Sequence, residues 1–248
     1  MQNKIWQLGN HRLACGDSTD KALVDRLVGD ETIRTILCDP PYGVAYVENK
    51  DWIGMRGGAD GGHKKISNDQ LQTDEQYTDF TARWLGAVKD KITSYNQAYI
   101  FNCDLMMCAL RAGMEKAGWK YSQMIIWIKN TIVLGRKDYN PQHEIIAYGW
   151  MGRHKFARAK GRSVICFPKP TKAKLHPTMK PVGLLRKILL DSTKVGDTVY
   201  DPFGGSGSTM VACENLKRRC FMIEMDEVYC KVIIDRWEKA SGGKAELL

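Results

Sequence analysis

The 248-residue chain lacks several features that would narrow its class quickly. No apolar run approaches the roughly 20 residues of a membrane-spanning helix. The start, MQNKIWQLGNHR, has no apolar segment of the kind that directs export. A soluble, cytoplasmic protein without a membrane partner is expected. Eight cysteines are present, yet no two form a Cys-x-x-Cys pair, and several sit inside apolar runs, as Cys38 and Cys166 do. Reduced core thiols are therefore expected, with neither disulfides nor a metal site. Internal repeats and low-complexity tracts are missing too.

Acidic residues are absent from Ile145 to Leu190, where eleven Lys or Arg occur. That stretch carries more than the whole net charge of +9, and the remainder is slightly acidic. Concentrated positive charge suits a polyanion, because each neutralised phosphate releases condensed counterions. A solvated lysine face would account for the charge equally well, so composition alone does not decide.

Short apolar runs alternate with helical patterns, which is α/β organisation. Strands are expected at Arg34–Cys38, Ala98–Asn102, Gln123–Ile128, Glu144–Tyr148, Thr198–Tyr200 and Cys220–Ile223. Helices are expected at Gln76–Ile92, Leu105–Ala117, Pro181–Ser192, Thr209–Asn215 and Glu227–Ala240, with Thr73 and Asp226 as starts and Gly118 as a stop. Val44–Asn68, rich in Gly and charge, reads as a mobile loop. Trp150–Leu175, basic with Gly and Pro, reads as an excursion from the domain. Neither is long enough to fold alone, so residues 1–248 form one domain with two insertions.

Residues 198–209 run from a strand through a glycine-dense turn into a helix. Gly205 and Gly207 can adopt positive φ and carry no Cβ, so a ligand can approach the backbone. The following helix directs its free N–H groups and dipole at negative charge. Glu224 ends the next strand, where a carboxylate can accept both ribose hydroxyls of an adenosine. No Lys follows the last glycine, which excludes a P-loop. The segment suits NAD, ATP or S-adenosylmethionine. It can equally be strand–helix punctuation with Glu224 as a capping acid.

Asp39-Pro40-Pro41-Tyr42 lies where a buried strand leaves the sheet. It offers a carboxylate, a rigid carbonyl on Pro40 and an aromatic face. An aromatic amine attacks poorly because its lone pair is delocalised into the ring. Two acceptors on its N–H bonds localise that pair, and Tyr42 can stack on a base taken out of a duplex. Asp-Pro-Pro is also ordinary turn chemistry.

DPPYG at Asp39–Gly43, DPFGGSGST at Asp201–Thr209 and HPTMKP at His176–Pro181 together resemble the amino-methylating DNA methyltransferases of bacteria and phages. The catalytic motif precedes the glycine motif, the permuted order of the beta group. Gly16-Asp17-Ser18, placed ahead of the first strand, and the Trp127–Asn130 and Gln142–Glu144 stretches support the match. The resemblance implies an α/β fold, a single Rossmann-like sheet with helices on both faces and small insertions for DNA contact. It implies base flipping, S-adenosylmethionine as cofactor and double-stranded DNA as partner. A restriction–modification setting and a homodimer go with the group.

Carried over by position, the resemblance makes Asp39, Pro40, Pro41 and Tyr42 catalytic. It assigns Asp201, Phe203, Gly204, Gly205, Ser206, Gly207, Ser208 and Thr209 to the cofactor pocket, with Glu224 on the ribose. Asp17 and Ser18 go to the cofactor adenine, and His176, Thr178 and Lys180 to the cofactor end of the pocket. His176 also suits loop ordering, and Lys180-Pro181 a helix start. Asp in the first motif position favours adenine N6 over cytosine N4. A nicotinamide enzyme would leave Asp39–Tyr42 without purpose, and a noncatalytic DNA binder would not need two ligand-shaped turns. The expected DNA grip comes from Arg153–Lys174 and the 44–68 loop. Trp150 and Phe156 either wedge into the duplex or pack in the core.

Overall fold

The computed structural model describes residues 2–44, 70–132, 138–157, 161–169 and 179–248. The elements run β1 (Ile5–Leu8), β2 (His11–Cys15), α1 (Lys21–Val28), β3 (Ile33–Cys38), α2 (Asp74–Val88), β4 (Ile92–Asn102), α3 (Met107–Lys116), β5 (Lys120–Ile128) and β6 (His143–Trp150). They continue with β7 (Val164–Cys166), α4 (Val182–Ser192), β8 (Thr198–Asp201), α5 (Ser208–Leu216), β9 (Arg219–Glu224), α6 (Glu227–Ser241) and β10 (Glu246–Leu247). One sheet has the order β10-β1-β2-β9-β8-β3-β4-β6-β5-β7. Neighbours from β2 to β4 are parallel, and β6 is antiparallel to both β4 and β5.

The parallel centre is covered on both faces, so its strands read as continuous apolar runs rather than alternating ones. Successive residues still point to opposite sides. Ile36, Tyr200 and Phe221 join Leu23, Trp84 and Leu110 of α1–α3 in one core. Leu37, Val199 and Met222 join Leu184, Met210 and Ile233 of α4–α6 in the other. Local signals hold the helices in register. Thr73 and Gln76 form a reciprocal capping box at α2, Asp226 caps α6 by accepting from Val228 N, and Gly118 follows α3 at φ 84°.

From β8 the chain crosses through α5 to β9, whereas from β3 it crosses through α2 to β4, on the other side. Because β3 and β8 are neighbours, the two crossovers diverge and leave a crevice at the carboxyl ends of this pair. That is the topological switch point, where open α/β sheets bind ligands.

Four differences from the sequence expectation concern short or polar elements. β1, β2, α1 and β10 join the fold, although four- and five-residue strands such as IWQL and HRLAC carry little pattern. Gly16-Asp17-Ser18 consequently follows β2 rather than preceding the first strand. β4 begins at Ile92, six residues early, and α2 stops at Val88 before a 3-10 turn at Lys89–Lys91. β7, within the stretch read as an excursion, pairs with β5 and extends the sheet. The 44–68 loop falls, from residue 45 on, outside the described residues.

A buried histidine ties four elements together. His11, 2% exposed, accepts from Cys220 N at Nδ1 (2.9 Å) and meets Glu214 Oε2 at Nε2 (2.8 Å). Trp237 Nε1 donates to the same carboxylate oxygen at 2.8 Å. The Nδ1 contact requires the neutral Nε2–H tautomer. Burial lowers the His11 pKa, against the pull of Glu214. The unfolded chain therefore takes up this proton first, and the associated stability is present above the ordinary imidazole value of 6.5 and lost as pH falls below it. The thermal midpoint should accordingly drop between about pH 7 and pH 5, and His11→Gln should shrink the drop. An unchanged drop in scanning calorimetry would assign it elsewhere.

Candidate functional site

Asp39–Tyr42 leave β3 at the switch-point edge, as the strand pattern requires. Tyr42 donates its hydroxyl to Asp39 Oδ1 at 2.7 Å, and Lys180 Nζ donates to Oδ2 at 2.5 Å. Lys180 precedes Pro181, the N-cap of α4. Its ammonium is held over the rings of Phe101 (5.1 Å) and Tyr42 (5.8 Å), and it is 8% exposed. It also meets Glu144 Oε2 at 3.1 Å, while Lys129 Nζ lies 2.7 Å from Glu144 Oε1. Glu144 belongs to β6, and Lys129 comes directly after β5. The ends of β3, β6 and β5 thus contribute to one cluster of two carboxylates and two ammonium groups.

Burial dominates the electrostatics here. It raises the Asp39 pKa above the usual carboxylate value, opposed by Lys180 and reinforced by Glu144. For Lys180 burial acts downward, but Asp39 and Glu144 outweigh it and the ammonium is stabilised. Glu144 ends below its ordinary value because Lys180 and Lys129 overcome the burial effect. Breaking a buried pair by removing one partner costs about 3–5 kcal/mol, since it strands the other charge.

The glycine turn stands beside this cluster, after β8. Asp201 is buried, accepts from Phe203 N (3.0 Å) and bonds Thr209. Burial pushes its pKa to about 8. Phe203 packs against Trp84 (5.4 Å) and Phe80 (5.8 Å) of α2. Gly205 and Gly207 adopt φ of 51° and 77°, as the turn was expected to need. The missing Cβ of Gly207, however, makes room for Ile233 of α6, and that of Gly204 for Met222 of β9. Both glycines serve helix and strand packing. Ser206 and Ser208 likewise face Arg236 of α6, whose Nη1 donates to Ser206 O at 2.8 Å.

Glu224 accepts from Gly205 N (2.6 Å) and Asp226 N (2.8 Å), and burial raises its pKa to about 7. Gly16 N donates to the Glu224 carbonyl (2.9 Å), which brings Asp17 and Ser18 to the same edge. Asp17 Oδ1 accepts from Thr19 N at 2.8 Å, and Ser18 is buried. The structure therefore gathers Asp39–Tyr42, Lys180, Asp201–Thr209, Glu224, Asp17 and Ser18 along one sheet edge. Lys180, expected at the cofactor end, bonds Asp39. His176 and Thr178 lie outside the described residues. Lys129 and Glu144 stood within supporting stretches of the sequence without an assigned role. A Lys and a Glu at two strand ends show their partnership only once those ends are neighbours.

The basic stretch divides. β6 runs away from the site edge, so Trp150 and the residues after it sit roughly 23 Å down the strand, at about 3.3 Å per residue. There Trp150 stacks on His154 (3.8 Å), Phe156 packs against Tyr148 (5.9 Å), and Arg34 and Gln97 hold the Lys155 carbonyl. Trp150 is half-buried and Phe156 is exposed, so both pack on neighbouring side chains at the surface rather than in the core. β7 then returns alongside β5, and Lys169 N reaches Asn130 at the site edge.

The family model of the N6/N4 methyltransferases, DNA methylase, matches residues 33–235. The chain belongs to this DNA methylase family. The methylase is 28% identical over 229 residues to the Type II methyltransferase M2.DpnII of Streptococcus pneumoniae, covering 84% of this chain and 83% of that protein. It is 24% identical over 259 residues to the Type II methyltransferase M.HpaI of Haemophilus parainfluenzae, covering 94% and 76%. Among solved structures, the M1.HpyAVI–SAM complex aligns at TM-score 0.65 and 21% identity, covering 90% of this chain and 98% of that one. The PvuII DNA methyltransferase (cytosine-N4-specific) aligns at TM-score 0.71 and 15% identity, covering 92% and 86%. These likenesses establish the shared fold. Methyl transfer in the family draws on S-adenosylmethionine.

The divided basic stretch makes a contrast. Lys169→Ala should weaken binding to duplex DNA and reduce the slope of log K against log salt by about one. Arg153→Ala, at the opposite edge, should change neither. Fluorescence anisotropy across a salt series reads both, and equal losses would mean that DNA contacts both edges.

Proposed function

We propose that the methylase transfers the methyl group of S-adenosylmethionine to the N6 amine of an adenine flipped out of double-stranded DNA. The observation that carries this reading is the fixed carboxylate of Asp39, gripped by Tyr42 and Lys180 at the switch point. Asp39 and the Pro40 carbonyl accept the two N–H bonds of the amine, and Pro41 keeps that carbonyl rigid. Tyr42, pinned through its hydroxyl, offers a ring face beside the base.

The residues present suit S-adenosylmethionine. Glu224 accepts backbone N–H bonds from Gly205, Asp226 and Met225 and keeps lone-pair capacity for the ribose. Asp17 and Ser18 lie alongside for the adenine end, and Phe203, Gly204 and Gly205 form the wall between Glu224 and Asp39. Asp201 and Thr209 brace the turn from below, and Ser206, Gly207 and Ser208 hold it to α6. The motif that holds His176 and Thr178, outside the described residues, supports a role for both at the cofactor end. When bound, the cofactor supplies an electrophilic methyl on a sulfonium, so neither a metal nor an enzyme-bound methyl is required.

The reading includes a single domain in which the 44–68 loop and the site-edge part of the 150–175 stretch contact DNA. A modification role in restriction–modification is supported by the Type II methyltransferase relatives, and a homodimer accompanies it as the group's usual state. Among the described residues no helix is long and apolar enough to cross a membrane, which suits work on DNA in the cytoplasm.

Asp39→Ala should lower methyl transfer by about a hundred- to a thousand-fold, the range for removing one preorganised polar group, while the affinity for S-adenosylmethionine changes little. Single-turnover transfer and calorimetric titration separate the two, and near-normal turnover would remove Asp39 from the chemistry. Long-read sequencing of DNA from cells expressing the methylase reports the product. N4-methylcytosine in place of N6-methyladenine would overturn the adenine assignment and keep the mechanism.

A further inference from the structure

We propose that Lys180, anchored by Glu144 and Lys129, is a positioning residue that holds Asp39 as an unprotonated, fixed acceptor for the amino group of the base. The inference rests on the role given to Asp39 above.

The geometry is that of a clamp. The three N–H donors of Lys180 have three oxygens in reach: Asp39 Oδ2 at 2.5 Å, Glu144 Oε2 at 3.1 Å and the Tyr42 hydroxyl at 3.5 Å. Phe101 and Tyr42 line its remaining sides. Glu144 is in turn held at its other oxygen by the nearly inaccessible Lys129. Each charge in the chain Asp39–Lys180–Glu144–Lys129 thus has an opposite charge within 3.1 Å, and the four sum to zero.

Such a clamp answers a chemical need. A protonated Asp39 would offer an O–H where the amine itself offers N–H, so two donors would meet and the base would lose its grip. The nitrogen also sheds a proton when it gains a methyl group, and an ionised Asp39 beside it can take that proton. Burial alone would push Asp39 toward the wrong form. The groups facing it are Tyr42 and Cys38 on β3 and its exit, Asp201 on β8, Glu144 on β6 and Lys180 ahead of α4, with Tyr77 of α2 facing Tyr42. Among these, Lys180 is the cation. Glu144 works in both directions, since it fixes Lys180 in place and competes with Asp39 for its charge.

The two partners should therefore move Asp39 in opposite directions. Carboxyl-13C NMR titration of the cofactor-free methylase, with the Asp39 signal identified by its loss in Asp39→Asn, reads its ionisation without turnover. Lys180→Met should move the midpoint up by about one pH unit or more, Lys180→Arg should restore it, and Glu144→Gln should move it down. The acid limb of kcat against pH should follow each shift, with KM for S-adenosylmethionine nearly constant. Activity lost with no movement of either midpoint would reduce the cluster to a structural tie and overturn the inference. If Lys180→Met does not fold, Glu144→Gln decides, and an unmoved or raised midpoint overturns it. Opposite NMR shifts combined with an active Asp39→Ala would instead refute the role of Asp39 and leave the clamp standing.

Discussion

Taking charge out of water is among the most expensive things a fold can do, and this one buries two ammonium groups and half-buries two carboxylates in a single corner. Asp39, Glu144, Lys129 and Lys180 come from four separate places in the chain. They are tolerable only together, so the carboxyl ends of β3 and β5, the amino end of β6 and the lead-in to α4 must all be in register before any one of them is satisfied. The antiparallel β6 matters for this reason. Its reversed direction puts its first residues at the edge where the parallel strands finish, and so brings Glu144 to Asp39.

The order of the chain has a simple physical reading. The half that carries Asp39–Tyr42 is made first and the half that carries the glycine turn comes last, yet β3 and β8 lie side by side. A sheet is indifferent to the sequence in which its strands are threaded, provided that crossovers are right-handed and covered. Both halves aim their loops at one crevice, and the permutation leaves the site unchanged.

Much of this was legible beforehand, for identifiable reasons. Strands buried on both faces announce themselves as apolar runs, and β3, β8 and β9 were bounded to within a residue or two. Thr73, Asp226 and Gly118 marked helix ends because capping is local chemistry. What stayed hidden was non-local. Short β1 and β2 have too few residues to show a period, and β7 resembles any loop until β5 lies beside it. Trp150 and Phe156 carried no sign of which edge they would occupy. Lys180 sat in a recognisable motif, but its partner is set by packing between residues far apart in the chain. Gly205 and Gly207 looked like room for a ligand, whereas the missing Cβ of Gly207 is room for Ile233, as that of Gly204 is for Met222.

That last point has a wider consequence. The glycine turn is seated on α6, with Ile233 beneath Gly204 and Gly207 and Arg236 latched to Ser206 and Ser208. Its curvature is therefore inherited from a helix that begins beyond Glu224 and forms part of the opposite core. Sequence drift along the buried side of α6, far from any reacting atom, would reach the crevice as a tilt of the turn. In this architecture a back wall, and not only the lining, sets the shape of the crevice.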